Sequence, residues 1–130
     1  MDLQLEKPLP QPTPVSRPFW EALDEERILV QHCSACDSWV FYPRSHCPHC
    51  LSDDTDWIES AGKGEIYSYS VLRRGVPVPY ALAYVRLDEG TTMLTNIVDC
   101  DLDALSIGQR VNLDFAATPN GTMVPVFKPA

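Results

Sequence analysis

The sequence predicts a mainly β protein: one short N-terminal helix, a small metal-binding ribbon and a C-terminal five-stranded barrel of the OB type. Three observations carry that prediction. Cys33, Cys36, Cys47 and Cys50 form two C-x-x-C pairs separated by ten residues, and each pair can place two sulfurs on one turn, so that two facing turns supply a tetrahedral soft-ligand set. Gly62-Lys63-Gly64 then marks a bend, because glycine permits backbone angles that other residues avoid. Beyond it come five short segments rich in β-branched and aromatic residues, with one helical turn between the third and fourth; closing such a sheet into a barrel removes its edges.

Taken in order, residues 1–15 contain Pro8, Pro10, Pro12 and Pro14, whose missing donors and fixed φ predict an extended arm. The next unit, residues 16–60, opens with a helix over 17–25, Ser16 as its cap and Pro18 tolerated in the first turn. Phe19, Trp20 and Leu23 mark its apolar side, and Glu21, Asp24, Glu25 and Glu26 its solvated one. So short a helix needs tertiary support. Either it covers the core of its own subunit, or it docks Phe19 and Trp20 into another. Residues 28–31 read as a strand entering the first metal knuckle, 39–42 as the strand leaving it, closed by Pro43, and 55–59 as the strand after the second knuckle. In this layout a metal ion replaces the hydrophobic core that the segment is too short to build.

The last unit, residues 61–130, carries predicted strands at 65–72, 80–88, 91–98, 110–116 and 123–127, with turn chemistry at Asp88-Glu89-Gly90 and Pro119-Asn120-Gly121. Asp101 begins the intervening helical turn as a cap. Val111, Leu113 and Phe115 alternate as an inward set. Residues 80–87 have apolar side chains on both parities, as expected where one face meets the barrel core and the other a helix or a subunit.

The chemistry concentrates in the cysteine quartet. Four thiolates suit Zn²⁺, and zinc filled by four protein ligands has no open position for substrate, so its role is structural. Iron fits the same tetrahedral sulfur set, and two disulfides are the alternative in a secreted chain. His32, His46 and His49 flank the cysteines and are read as outer-shell or surface groups, because counting them as ligands spoils the paired spacing. The acidic runs Asp53, Asp54, Asp56, Glu59 and Asp99, Asp101, Asp103 lack calcium-loop spacing and read as solvated. No nucleophile with a base and an orienting group emerges, and no catalytic residue is assigned. Arg73 and Arg74 precede the apolar loop Gly75-Val76-Pro77-Val78-Pro79; forked arginines beside aliphatics suit either a phosphate-bearing ligand such as CoA or a subunit interface.

Charge narrows the partners. Ten Lys and Arg against eighteen Asp and Glu give −8, with eleven acids against five bases over residues 1–64 and seven against five in the rest. Such a field opposes tight binding to nucleic acid or anionic lipid, despite the rings of Tyr67, Tyr69, Tyr80 and Tyr84. The chain contains no apolar run of bilayer length, and the cytoplasm is the expected location.

The succession Phe19-Trp20-Glu21-Ala22-Leu23, Cys33-Ser34-Ala35-Cys36, Cys47-Pro48-His49-Cys50, Gly62-Lys63-Gly64-Glu65-Ile66-Tyr67-Ser68-Tyr69 and Pro125-Val126-Phe127-Lys128-Pro129 resembles, across nearly the whole chain, a bacterial and archaeal family. Its members pair a rubredoxin-like zinc ribbon with an OB-fold and are associated with acyl-CoA metabolism (family of unknown function number thirty-five). The resemblance implies a structural Zn²⁺ on Cys33, Cys36, Cys47 and Cys50. It also implies a hetero-oligomeric role as accessory subunit of a thiolase or a lipid-transfer-protein-like aldolase, with Phe19 and Trp20 as contact candidates and acyl-CoA a possible ligand of the complex. The competing expectation is a stand-alone OB-fold module that binds nucleic acid or protein.

Overall fold

The structure, a computed structural model, describes residues 10–119 and 121–130. The first nine residues of the expected arm, and Asn120 in the expected turn, lie outside the described residues. The chain forms helix α1 (Arg17–Asp24), then strands β1 (Leu29–Cys33), β2 (Ser38–Val40) and β3 (Thr55–Glu59), and then β4 (Lys63–Leu72), β5 (Tyr80–Leu87), β6 (Thr92–Ile97), a 3-10 turn at Leu102–Ala104, β7 (Arg110–Ala117) and β8 (Met123–Pro129). The first three strands make an antiparallel sheet in the order β2-β1-β3, and the other five close into a barrel in the order β4-β5-β6-β8-β7. The mainly β architecture with one helix, a cysteine ribbon and a five-stranded barrel is the one the sequence predicts.

Helix α1 buries Phe19, Ala22 and Leu23 against the barrel and the ribbon, so it covers the core of its own chain. Phe19, expected as a contact candidate, is 1% exposed and is a core residue. Ser16 stands at the N-cap position, but its side chain makes no cap hydrogen bond. Its Oγ instead accepts from the Thr13 backbone N–H at 2.9 Å, bracing the turn ahead of the helix, and the helical N–H groups of Phe19 and Trp20 bond the Ser16 carbonyl. The helix stops at Asp24 because Glu26 turns to φ 58 and Arg27 N–H reaches back to the Ala22 carbonyl.

Strand β2 is only three residues long, shorter than the predicted 39–42. Phe41 and Tyr42 leave the ladder to pack on α1: the Phe19 ring lies 5.5 Å from Phe41 and 5.9 Å from Tyr42, and Trp20 Nε1 donates to Tyr42 Oη at 2.9 Å. Aromatic contacts of this kind outweigh two further ladder residues at the edge of a small sheet.

Within the barrel, Ala81, Ala83, Val85 and Leu87 of β5 point inward and join Ile66, Met93, Val111 and Phe127 in one cluster with Phe19, Leu23, Ile28 and Val30. Gly64 pairs with both Leu87 of β5 and Val111 of β7, at the corner where β4 changes neighbours. A Cβ built there would lie 2.4 Å from the Arg86 carbonyl oxygen, so the two backbones approach each other only because the residue is glycine. The bulge between Ile66 and Ser68 leaves Tyr67 outside, with the Arg86 guanidinium 4.6 Å from its ring centroid. The linker is latched by Glu89 in the β5–β6 turn, whose carboxylate accepts from Ser60 Oγ at 2.8 Å and from the Ala61 N–H at 3.1 Å.

Candidate metal centre

Two turns of like geometry hold the sulfurs. Cys33 ends β1 and Cys36 lies in the tight turn to β2, while Cys47 and Cys50 occupy the loop ahead of β3. Directly after the second cysteine of each pair the backbone enters the left-handed region, at Asp37 (φ 60) and Leu51 (φ 67). Neither residue is glycine, so no sequence signal marked these positions, and leucine there carries a conformational cost. The knuckles are tied together by the Ser34 N–H and Oγ, both donating to the Asp54 carbonyl at 2.9 and 3.2 Å, and the second is closed by Cys47 N–H to the Ser52 carbonyl at 2.8 Å.

The four Sγ atoms lie within 4.8 Å of one another, the one such metal-holding group among the described residues. Cys33–Cys50 and Cys36–Cys47 are each 3.6 Å apart. A tetrahedral ion with metal–sulfur bonds of about 2.3 Å needs sulfurs about 3.8 Å apart, so the donor set fits. All four thiols are free; Cys33 and Cys47 are buried and Cys36 and Cys50 face outward. Four thiolates cannot stand side by side unless a cation lies among them, and the titration divides accordingly. A hydrogen bond from Ser38 leads the causes that lower Cys36 to about 6. Cys50, although the Ser52 N–H favours its thiolate, is pushed up to about 12 by burial and the neighbouring sulfurs.

The histidine rings stay outside the cluster: His32 Nε2 bonds Asp37 at 2.7 Å and its ring lies 4.7 Å from that of Trp39, tilted by 55°, and His46 meets Ser45 at 3.2 Å. His49 contributes its backbone N–H, 3.4 Å from Cys47 Sγ. The acidic residues 53, 54, 56 and 59 and 99, 101 and 103 are exposed, and Asp101 caps the 3-10 turn by accepting from Asp103 N–H at 2.9 Å. Burial, then Asp101 and Asp99, push the Cys100 thiol up, away from the thiolate a nucleophile needs.

Arg73 and Arg74 are both exposed in the β4–β5 loop. Arg73 is held by Asp103, whereas Arg74 makes no ion pair among the described residues.

Sequence reasoning missed a groove of about 390 Å³ between α1 and the β6–β8 seam, lined by Trp20, Phe41, Tyr42, Leu82, Met93, Leu94, Thr95, Asn96, Val124 and Pro125 around Phe19. The apolar residues of both parities in β5 were its only signal. No helix of the described residues is long and apolar enough to cross a membrane.

Comparison with known proteins agrees with this geometry. Residues 20–56 match the family description "ChsH2, rubredoxin-like zinc ribbon domain" and residues 57–116 match "ChsH2, C-terminal OB-fold domain". The solved Ltp2–ChsH2(DUF35) aldolase contains a chain superposing with a TM-score of 0.81 at 36% identity, over 93% of the present chain and 98% of that one. A DUF35 domain-containing scaffold protein of Methanothermobacter thermautotrophicus is 36% identical over 74% of this chain and 77% of its own length. A probable enoyl-CoA hydratase alpha subunit of Thermomonospora curvata is 40% identical over 86% of this chain, which spans only 37% of that protein.

Proposed function

The chain belongs to the ChsH2/DUF35 family of zinc-ribbon and OB-fold proteins, and from that premise we propose that it is a non-catalytic accessory subunit of a thiolase-superfamily enzyme, a thiolase or retro-aldolase acting on acyl-CoA thioesters. The observation that carries this reading is the near end-to-end likeness to a chain of the Ltp2–ChsH2(DUF35) aldolase. In it, Cys33, Cys36, Cys47 and Cys50 hold one structural Zn²⁺, which supplies folding free energy to the ribbon and leaves no coordination position for substrate. The free thiols suit the reducing cytoplasm. The partner supplies the nucleophile, in keeping with a Cys100 thiol that burial disfavours as thiolate. The subunit supports assembly and the passage of substrate. Of the two loop arginines, Arg74 is the one free to meet a CoA phosphate, because Arg73 already bonds Asp103.

The test is co-expression with individual Ltp2-type aldolase and thiolase subunits, followed by mass measurement of the complex, metal analysis and assay of acyl-CoA cleavage. The expected result is a stable hetero-oligomer with one zinc per copy of this chain, active only when the partner's nucleophile is intact. Turnover by the isolated zinc-loaded chain overturns the reading. So does retention of single-stranded nucleic acid at physiological salt together with indifference to every thiolase-superfamily subunit.

A further inference from the structure

The groove beside α1 does not end at Leu94. A second depression, lined by Tyr69, Leu82, Tyr84 and Leu94 together with Ser68, Ser70 and Ala83, shares Leu82 and Leu94 with the first. The two form one strip across the outer face of β5 and β6, and Tyr42, Tyr69, Tyr84 and Leu94, with 42, 38, 47 and 51% of their surface exposed, lie along it. No charged side chain lines either depression, although the chain carries a net charge of −8. An uncharged aromatic strip bordered by charge has the composition of an interface centre rather than of ordinary surface.

The border identifies what covers it. Trp20, at the helix end of the strip, shares its side of α1 with Arg17, Glu21 and Asp24 by helical spacing, and all three charged residues are exposed. Glu21 and Asp24 make no ion pair among the described residues, and the last turn of α1 contains no basic residue. Carboxylates at a helix C-terminus oppose the macrodipole, so within the isolated chain Asp24 stands where it is least stabilised. Cations brought by a partner would offset that cost. A second copy of this chain, with eighteen acids against ten bases, would bring more carboxylates than cations, Arg17 included.

Resting on the accessory-subunit reading, we propose that this strip is the docking face, and that it receives an apolar segment of the partner enzyme bordered by Lys or Arg, with the cations against Glu21 and Asp24. The partner's acyl-CoA chemistry plays no part in the recognition.

The experiment uses the complex of the full chain with the thiolase-superfamily subunit that binds it, and measures Kd by calorimetry at low and high NaCl. The variants are Leu94→Asp, Tyr84→Ser and the double change Glu21→Lys with Asp24→Lys. All four positions are exposed, and wild-type zinc content and melting verify that each variant folds. Leu94→Asp is expected to weaken binding by about thirtyfold or more, as for a central apolar contact, and Tyr84→Ser by about tenfold. The double charge reversal is expected to weaken binding by about tenfold at low salt and to lose or invert the salt dependence. Affinities within about twofold of wild type for Leu94→Asp and the charge reversal would overturn the inference while leaving the accessory role standing. Self-association of the wild-type chain that Leu94→Asp abolishes would overturn it in favour of a second copy. A wild-type chain that binds no thiolase-superfamily subunit overturns the accessory role, and this docking face with it.

Discussion

In the ribbon, the buried set around the candidate metal centre is Cys33, Val40 and Cys47, and two of those three residues belong to the cysteine quartet. In the barrel, Ile66, Val85, Leu87, Met93, Val111 and Phe127 belong to one apolar cluster, and every strand contributes to a closed hydrogen-bonded circuit. Both regions are β-structure in one chain, with strands of 3–5 residues in the ribbon and 6–10 in the barrel. Without its ion, the ribbon buries too little to offset the entropy of ordering its loops, whereas the barrel offsets that entropy by burial alone. The contrast teaches that strand content does not report what stabilises a sheet; the identity of its buried groups does.

The sharpest way to break the comparison is Cys36→Ala. Apparent binding free energies of structural zinc are about 10–16 kcal/mol in zinc-finger peptides at neutral pH, so loss of one sulfur is the largest single effect available. Zinc content should collapse, amide protection should vanish from β1–β3, and binding to the partner should weaken, while β4–β8 keep their protection. Metal analysis and hydrogen exchange measure all of this on one sample. If the barrel unfolds together with the ribbon, the two regions are one cooperative unit and the contrast fails.

Phe19→Ala probes the joint. Its ring contacts Phe41 and Tyr42 beyond β2 and shares a cluster with Phe127 and Met93 of the barrel. Truncating so buried a phenylalanine costs about 3–5 kcal/mol. The expected outcome in calorimetry is that the ribbon melts ahead of the barrel by a wider margin than in the wild type. A shift confined to the barrel's melting would show that Phe19 stabilises the barrel alone.

What the sequence disclosed follows the same division. Residues 55–59 were predicted as a strand and are one, β3, and the barrel strands fall within two residues of their expected bounds because alternation and turn chemistry are local signals. The quartet was legible because metal ligands must be closely spaced. The burial of Phe19 and the departure of Phe41 and Tyr42 from β2 were not, since both depend on contacts across the fold. Ser16 has the chemistry of a cap, but Thr13 competes for its hydroxyl. The left-handed backbone at Asp37 and Leu51 falls on residues that give no warning of it. The apolar strip was half legible, as the second parity of β5, but its completion by Tyr42, Leu94 and Trp20 required the tertiary structure.

The smallest effect separates the regions by pH. Asp88, in the β5–β6 turn, accepts two bonds of 2.9 Å from the forked guanidinium of Arg110 at the start of β7. These bonds, with the charges of Arg110 and Lys63, hold its carboxyl below the usual range against a lesser opposing effect of burial. A carboxyl depressed on folding stabilises the folded state above its unfolded pKa of about 3.9 and loses that contribution as pH falls through the lower folded value. The pair is half exposed, so salt screens it. Asp88→Asn should therefore lower barrel stability slightly at neutral pH, should match wild type once pH has fallen below the folded pKa of Asp88, and should narrow its difference from wild type in high salt. The readout must be exchange at barrel amides, because acid also protonates the zinc thiolates and releases the ribbon's metal. An Asp88→Asn barrel whose deficit persists unchanged through acid and salt would assign the turn's contribution to packing, and would leave the barrel with no measurable electrostatic term to set against the ribbon's ion.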